Sequence, residues 1–178
     1  KGFACIEFAE DILELTLLPW QKWLLIHALE LNMDGSYRFR TVLLLVARQN
    51  GKSTLMLILA LWSMFAEGSP LVIGTAQNLD ISEELWTAAY EMAESIPELA
   101  EFIEHVDKTN GKKALRLTSG ERYKVAAASR RGGRGLTGDL ILLDELREHQ
   151  TWDAWAAVTK TTRTRAQAQI WAASNAGD

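Results

Sequence analysis

Apolar residues fall along this chain in two rhythms, short unbroken runs and longer stretches at helical spacing. Residues 41–46, Thr-Val-Leu-Leu-Leu-Val, are a continuous β-rich run and predict a strand buried on both faces. A Gly-Lys-Ser-Thr turn connects it to an apolar helix over 55–65. Pro70 introduces a second buried strand at 71–75, followed by a long helix near 78–95 that Pro97 interrupts or restarts. Upstream, Leu24, Ala28 and Leu31 recur at helical spacing, and Pro19 sits where a helix start needs no N–H, so 18–31 reads as an amphipathic helix ended by Asn32-Met33-Asp34-Gly35. Downstream, 114–118 and 122–127 flank a Ser119-Gly120 turn as a hairpin; 140–143 and 170–173 supply two more buried strands, with a short helix at 152–159 between them. Strand, helix and strand in that order imply parallel pairing. The expected fold is therefore α/β, a mostly parallel central sheet flanked by helices, with a β-hairpin insertion.

The 178 residues suit one domain over 1–178, since no repeat, proline-rich linker or low-complexity tract divides them. At 48% hydrophobic and 24% charged the chain has the composition of a folded globular protein, not a disordered one. No run approaches the roughly 18 apolar residues of a membrane span, so no membrane partner is expected. The first fourteen residues carry four acids and no basic-then-apolar pattern, unlike a signal or transit peptide. Cys5 stands alone, which excludes an internal disulfide and fits a reducing compartment, and no Cys/His spacing resembles a zinc site.

Net charge is −4, but it is segregated. Residues 80–104 hold eight acids and no Lys or Arg; residues 107–134 hold nine basic residues against two acids, a local charge of +7. Such a patch attracts phosphate-rich partners, and it equally describes a solvated hairpin decorated with Lys and Arg.

The turn after the first strand reads Val46-Ala47-Arg48-Gln49-Asn50-Gly51-Lys52-Ser53-Thr54 and matches the second half of the phosphate-loop pattern GxxxxGK[ST]. Val46 occupies the place of the first glycine. A glycine-bearing loop at a helix N-terminus presents N–H groups to anionic oxygens. Lys52 would then reach the β- and γ-phosphates of ATP, and the Ser53 hydroxyl would hold Mg²⁺. Asp144 and Glu145 follow the apolar run 140–143, at the end of a buried strand where ligands of open α/β sheets gather. Asp144 suits the magnesium shell and Glu145 the polarising of an attacking water. Alternation along a strand would turn these two acids to different sides.

With their neighbours these residues resemble the ATPase domain of tailed-bacteriophage terminase large subunits, P-loop NTPases of the additional-strand (ASCE) type. In that family the first loop glycine is often missing and an arginine sits inside the loop, as Val46 and Arg48 do here. The resemblance implies that Arg48, Gln49, Asn50, Gly51, Lys52, Ser53 and Thr54 bind ATP. It also implies that Leu18-Pro19-Trp20-Gln21 is a Q motif in which the Gln21 amide reads the adenine edge, though Trp20 serves equally as plain core. Arg130, Arg131 and Arg134 lie in the glycine-rich run 130–138, which is similar to a terminase stretch found at this place. By that analogy Arg134 completes a neighbouring subunit's site as an arginine finger, with Arg48 its rival acting in cis, while Arg130 and Arg131 contact DNA phosphates. Ser174 and Asn175 resemble the coupling pair that senses the γ-phosphate.

The resemblance further implies ATP hydrolysis with Mg²⁺ that drives double-stranded DNA into a viral procapsid in the host cytoplasm. The partners would be a homo-oligomeric ring, a pentamer, seated on the portal protein, and a small terminase subunit that delivers DNA. Full terminases continue into a nuclease domain absent from this chain, so no DNA cleavage is expected of it. Two other readings share part of the pattern: a helicase or DNA-repair ATPase, and a non-catalytic DNA-binding module of a packaging complex.

Overall fold

A computed structural model describes residues 1–127, 137–146 and 153–176. The chain opens with α1 (Gly2–Glu7), a π-helical turn (Phe8–Ile12) and α2 (Pro19–Ala28). The first apolar run becomes β1 (Thr41–Val46), followed by α3 (Lys52–Phe65), β2 (Leu71–Thr75), α4 (Leu79–Ser95) and the single turn α5 (Pro97–Ala100). Then come β3 (Ile103–Asp107), β4 (Ala114–Leu117), β5 (Arg122–Val125), β6 (Leu140–Leu143), α6 (Asp153–Thr159), α7 (Thr161–Thr164) and β7 (Gln169–Asn175). The Asn78 side chain caps α4 by accepting from the Asp80 N–H, and Pro97 starts α5, where its missing donor costs nothing.

The strands form one sheet in the order β1-β7-β6-β2-β5-β4-β3. From β1 to β5 every pairing is parallel; β4 and β3 run antiparallel beyond it. The expected hairpin is thus a three-stranded meander. Its third member, β3, reads Ile-Glu-His-Val-Asp and has no apolar run to announce it.

One face of the sheet packs against α3, which is buried along nearly its whole length because α1 and α4 cover its other sides. Trp62, Trp86 and Trp171 are the largest side chains of this core. On the opposite face Leu71, Ile73, Ile141, Leu143, Ile170 and Ala172 pack with Val158 of α6, and Trp155 rests against them. This second layer does not reach β1. Leu43, in register with Ala172, is 55% exposed and Leu45 is 59% exposed, so the expectation of a strand buried on both faces is corrected. β1 is an edge strand, half covered.

The N-terminal helix was not legible as an element. Cys5, Ala9 and Leu13, four residues apart, are its buried stripe. α1 presses so closely on α2 that a Cβ on Gly2 would lie 2.4 Å from the Leu25 carbonyl oxygen. Burial, reinforced by the Glu67 carboxylate, pushes the Cys5 thiol pKa up, which makes it an inert core thiol. At the C-terminal end of α2, buried Gln169 donates from Nε2 to the carbonyls of Ala28 (2.8 Å) and Phe39 (2.7 Å) and accepts from Trp171 Nε1 (2.8 Å). Its amide ties α2 to the base of β7.

Candidate active site

The loop after β1 turns through two left-handed residues, Gln49 (φ 57°) and Gly51 (φ 87°), before α3 begins at Lys52. For Gln49 that conformation is uncommon; Gly51 adopts it without strain, and a Cβ there would also sit 2.6 Å from Gln21 Nε2. The first-turn N–H groups of the fourteen-residue α3 face the loop with no intrahelical partner. Lys52, only 8% exposed, sends its ammonium to Asp144 Oδ1 at 2.7 Å and Glu145 Oε1 at 3.0 Å. Burial works against that charge, but the hydrogen bonds and fields of Asp144 and then Glu145 outweigh it and hold the lysine pKa above its ordinary value.

The two acids stand where fully buried β6 ends. Asp144 continues the ladder through its N–H to the Thr75 carbonyl (3.0 Å), and its Oδ1 also accepts from the Glu145 N–H (2.8 Å). Simple alternation would turn Glu145 away from Asp144. Instead the backbone enters the left-handed region at Glu145 (φ 52°), a cost of about 1–3 kcal/mol, and both carboxylates meet one ammonium. Asn175, at the end of β7, approaches from the third side, its Nδ2 3.4 Å from Glu145 Oε1; Ser174 beside it is buried.

These groups surround a cleft of about 700 Å³ lined by residues 47–54, Leu57, Asp144, Glu145 and Asn175, and walled on one side by Ile81, Glu84, Leu85 and Ala88 of α4. The cleft therefore gathers Arg48, Gln49, Asn50, Gly51, Lys52, Ser53, Thr54, Asp144, Glu145 and Asn175 as the sequence grouped them. The α4 wall lay outside that grouping, because apolar residues at helical spacing such as Ile81, Leu85 and Ala88 carry no chemical signal that separates a cleft wall from core. Arg130, Arg131 and Arg134 lie outside the described residues. Of the basic segment near them, Lys108 lies over the Tyr90 ring, Lys113 over the Trp86 ring, and Arg116 pairs with Glu104, so part of that charge is committed within the fold.

Gln21 is where the structure departs from the expected site. Its residue is 2% exposed and does not line the cleft. Oε1 accepts from the Leu18 N–H and Nε2 donates to the Gly51 carbonyl, both at 2.8 Å, so the amide expected to meet adenine is spent on the protein's own backbone.

For a magnesium ion, the described residues offer no cluster of three or more His, Cys, Asp or Glu. They offer instead one buried carboxylate, Asp144, and the exposed Ser53 in the same cleft. A short, all-oxygen donor set that leaves positions to water and phosphate suits Mg²⁺.

A loop and helix following one strand, acids at the end of another, and β7 inserted between the two strands define a P-loop NTPase fold of the additional-strand type. The family described as terminase large subunit, T4likevirus-type, N-terminal, matches residues 43–175. The chain belongs to that family. Comparison with curated proteins gave no match. Among solved structures, the chain is similar to the HK97 bacteriophage large terminase (TM-score 0.82, 22% identity, 98% of this chain and 37% of that one). It is also similar to the Thermus phage P74-26 large terminase ATPase domain (TM-score 0.71, 19% identity, 93% and 67%). A third likeness is to the large terminase of a thermophilic bacteriophage solved with ADP (TM-score 0.57, 13% identity, 75% and 33%). The chain thus spans little more than a third of the first of these, and the likenesses are of fold. No described helix is long and apolar enough to cross a membrane.

Proposed function

We propose that this chain is a Mg²⁺-dependent ATPase domain that drives double-stranded viral DNA into a procapsid. The observation that carries the reading is the buried contact of Lys52 with both Asp144 and Glu145 inside the cleft formed by the phosphate loop. That one thermophilic-phage terminase was solved with ADP and with ATP-gamma-S supports a nucleotide as the ligand of the corresponding cleft here.

In this reading the triphosphate replaces a carboxylate as the partner of Lys52, and the loop N–H groups receive the remaining phosphate oxygens. Ser53 and Asp144 would hold Mg²⁺, which when bound neutralises phosphate charge. Glu145 accepts a proton from water as its oxygen attacks the γ-phosphorus; the bond to the β–γ bridging oxygen breaks, and ADP and inorganic phosphate result. Asn175 borders the same place, with buried Ser174 beside it, and the pair would sense the loss of the γ-phosphate. Arg134 would complete a neighbour's site, with Arg48 lining the cleft in cis, and Arg130 and Arg131 would hold DNA phosphates. A trans arginine requires a neighbouring copy, which a ring seated on the portal would supply, with the small subunit delivering DNA, in the host cytoplasm.

Glu145→Ala should reduce ATP turnover by at least about 10²-fold while ATP binding persists. Turnover measured beside equilibrium binding checks this, and unchanged turnover removes Glu145 from the chemistry. With added double-stranded DNA, a rate rising faster than linearly with protein concentration, and collapsing in Arg134→Ala, would support the ring and its finger.

A further inference from the structure

We infer that Gln21 is a positioning residue that braces the phosphate loop, and that it does not read the nucleobase. The inference rests on the ATP-binding reading above and concerns how that site tells its ligand apart: by the phosphate chain, with no contribution from the Gln21 amide to base choice.

Three observations converge. The Gln21 oxygen is taken by the Leu18 N–H, its nitrogen by the Gly51 carbonyl, and the residue is 98% buried behind the loop, so it turns no group toward the cleft. The fit to Gly51 is tight on both sides of that bond. Gly51 is held at φ 87°, its carbonyl takes the first α3 bond from the Leu55 N–H as well as the bond from Gln21, and any Cβ would collide with the amide nitrogen. Finally, the helix carrying Gln21 is itself anchored, because the Ala28 carbonyl at its far end accepts from buried Gln169 at the base of β7. A brace needs a fixed abutment, and α2 has one.

The loop needs bracing because residues 47–50 are exposed and β1 has only β7 beside it. Holding Gly51 left-handed before ligand arrives keeps the Lys52 start of α3 ready to receive phosphate, so less ordering is required on binding. A mobile loop would have to be ordered at that moment.

The experiment compares binding of Mg-ATP, Mg-GTP and base-free Mg-tripolyphosphate, by calorimetry, to wild type, Gln21→Met and Lys52→Ala. Met fills the space of Gln and removes both hydrogen bonds. Gln21→Met should weaken all three ligands by a common factor of roughly fivefold to tenfold, leaving the ATP-to-GTP ratio unchanged. A loss confined to ATP, with tripolyphosphate unaffected, would make Gln21 a base reader and overturn the inference. Unchanged affinities with only a lower thermal midpoint would overturn it too, leaving Gln21 a helix cap.

Hydrogen exchange at residues 48–54 in the ligand-free protein reads the brace without any ligand. It should speed up in Gln21→Met and in Gln21→Glu, which keeps the acceptor for Leu18 and loses the donor to Gly51; unchanged exchange in both overturns the brace. Failure of the ATPase reading looks different: wild type binding none of the three ligands, or Lys52→Ala binding all of them normally.

Discussion

β6 and β1 each deliver an apolar run to the same cleft, and they are held in opposite ways. β6 has a strand on either side and a hydrophobic layer on both faces, so Asp144 and Glu145 are set at the end of a rigid beam. β1 has one neighbour and one covered face, and the loop it carries leans on α2 through the Gln21 bond. The strand that carries the acids is fixed by packing on both faces, whereas the loop relies on specific hydrogen bonds. Rigidity at the two halves of one site therefore has different physical sources, and they respond to different substitutions.

Leu142→Ala, at a position 1% exposed in β6, should cost about 2–5 kcal/mol in denaturant unfolding, through lost transfer energy and the cavity left behind. Gln169→Leu should cost somewhat less, about 2–3 kcal/mol, by leaving the Ala28 and Phe39 carbonyls and the Trp171 indole N–H without their partner. Because it releases the far end of α2, it should also speed hydrogen exchange in the phosphate loop. Leu43→Ser on the open face of β1 should change stability by no more than about 0.5 kcal/mol. If it costs as much as Leu142→Ala, something covers that face in solution and the contrast between the strands collapses.

The parallel core and the phosphate loop were legible because each rests on local pattern. The runs 41–46, 71–75 and 140–143 became strands with those bounds, and Gly51-Lys52 falls at a helix start, as the loop chemistry requires. The edge position of β1 was not legible. Its Leu43-Leu44-Leu45 has the same apolar character as the run in β6, and only sheet order decides which leucines are covered. β3 escaped notice because an edge strand can be polar. Gln21 was visible as a residue, but its role depends on a contact thirty positions away with Gly51. Gln169 shows the same limit at greater range: nothing near it in sequence announces partners at Ala28 and Phe39.

The placing of β7 has one more consequence. Its tip touches both halves of the site at once: the Ala176 N–H donates to the Val46 carbonyl (2.8 Å) on the loop side, and Asn175 Nδ2 approaches Glu145 (3.4 Å) on the acid side. In mechanical language β7 is the pointer of a differential gauge. A shift that carries loop, acids and β7 together leaves both contacts unchanged, whereas widening the gap between loop and acids stretches the pair of contacts and narrowing it compresses them. Such a pointer registers the width of the site and is blind to its position.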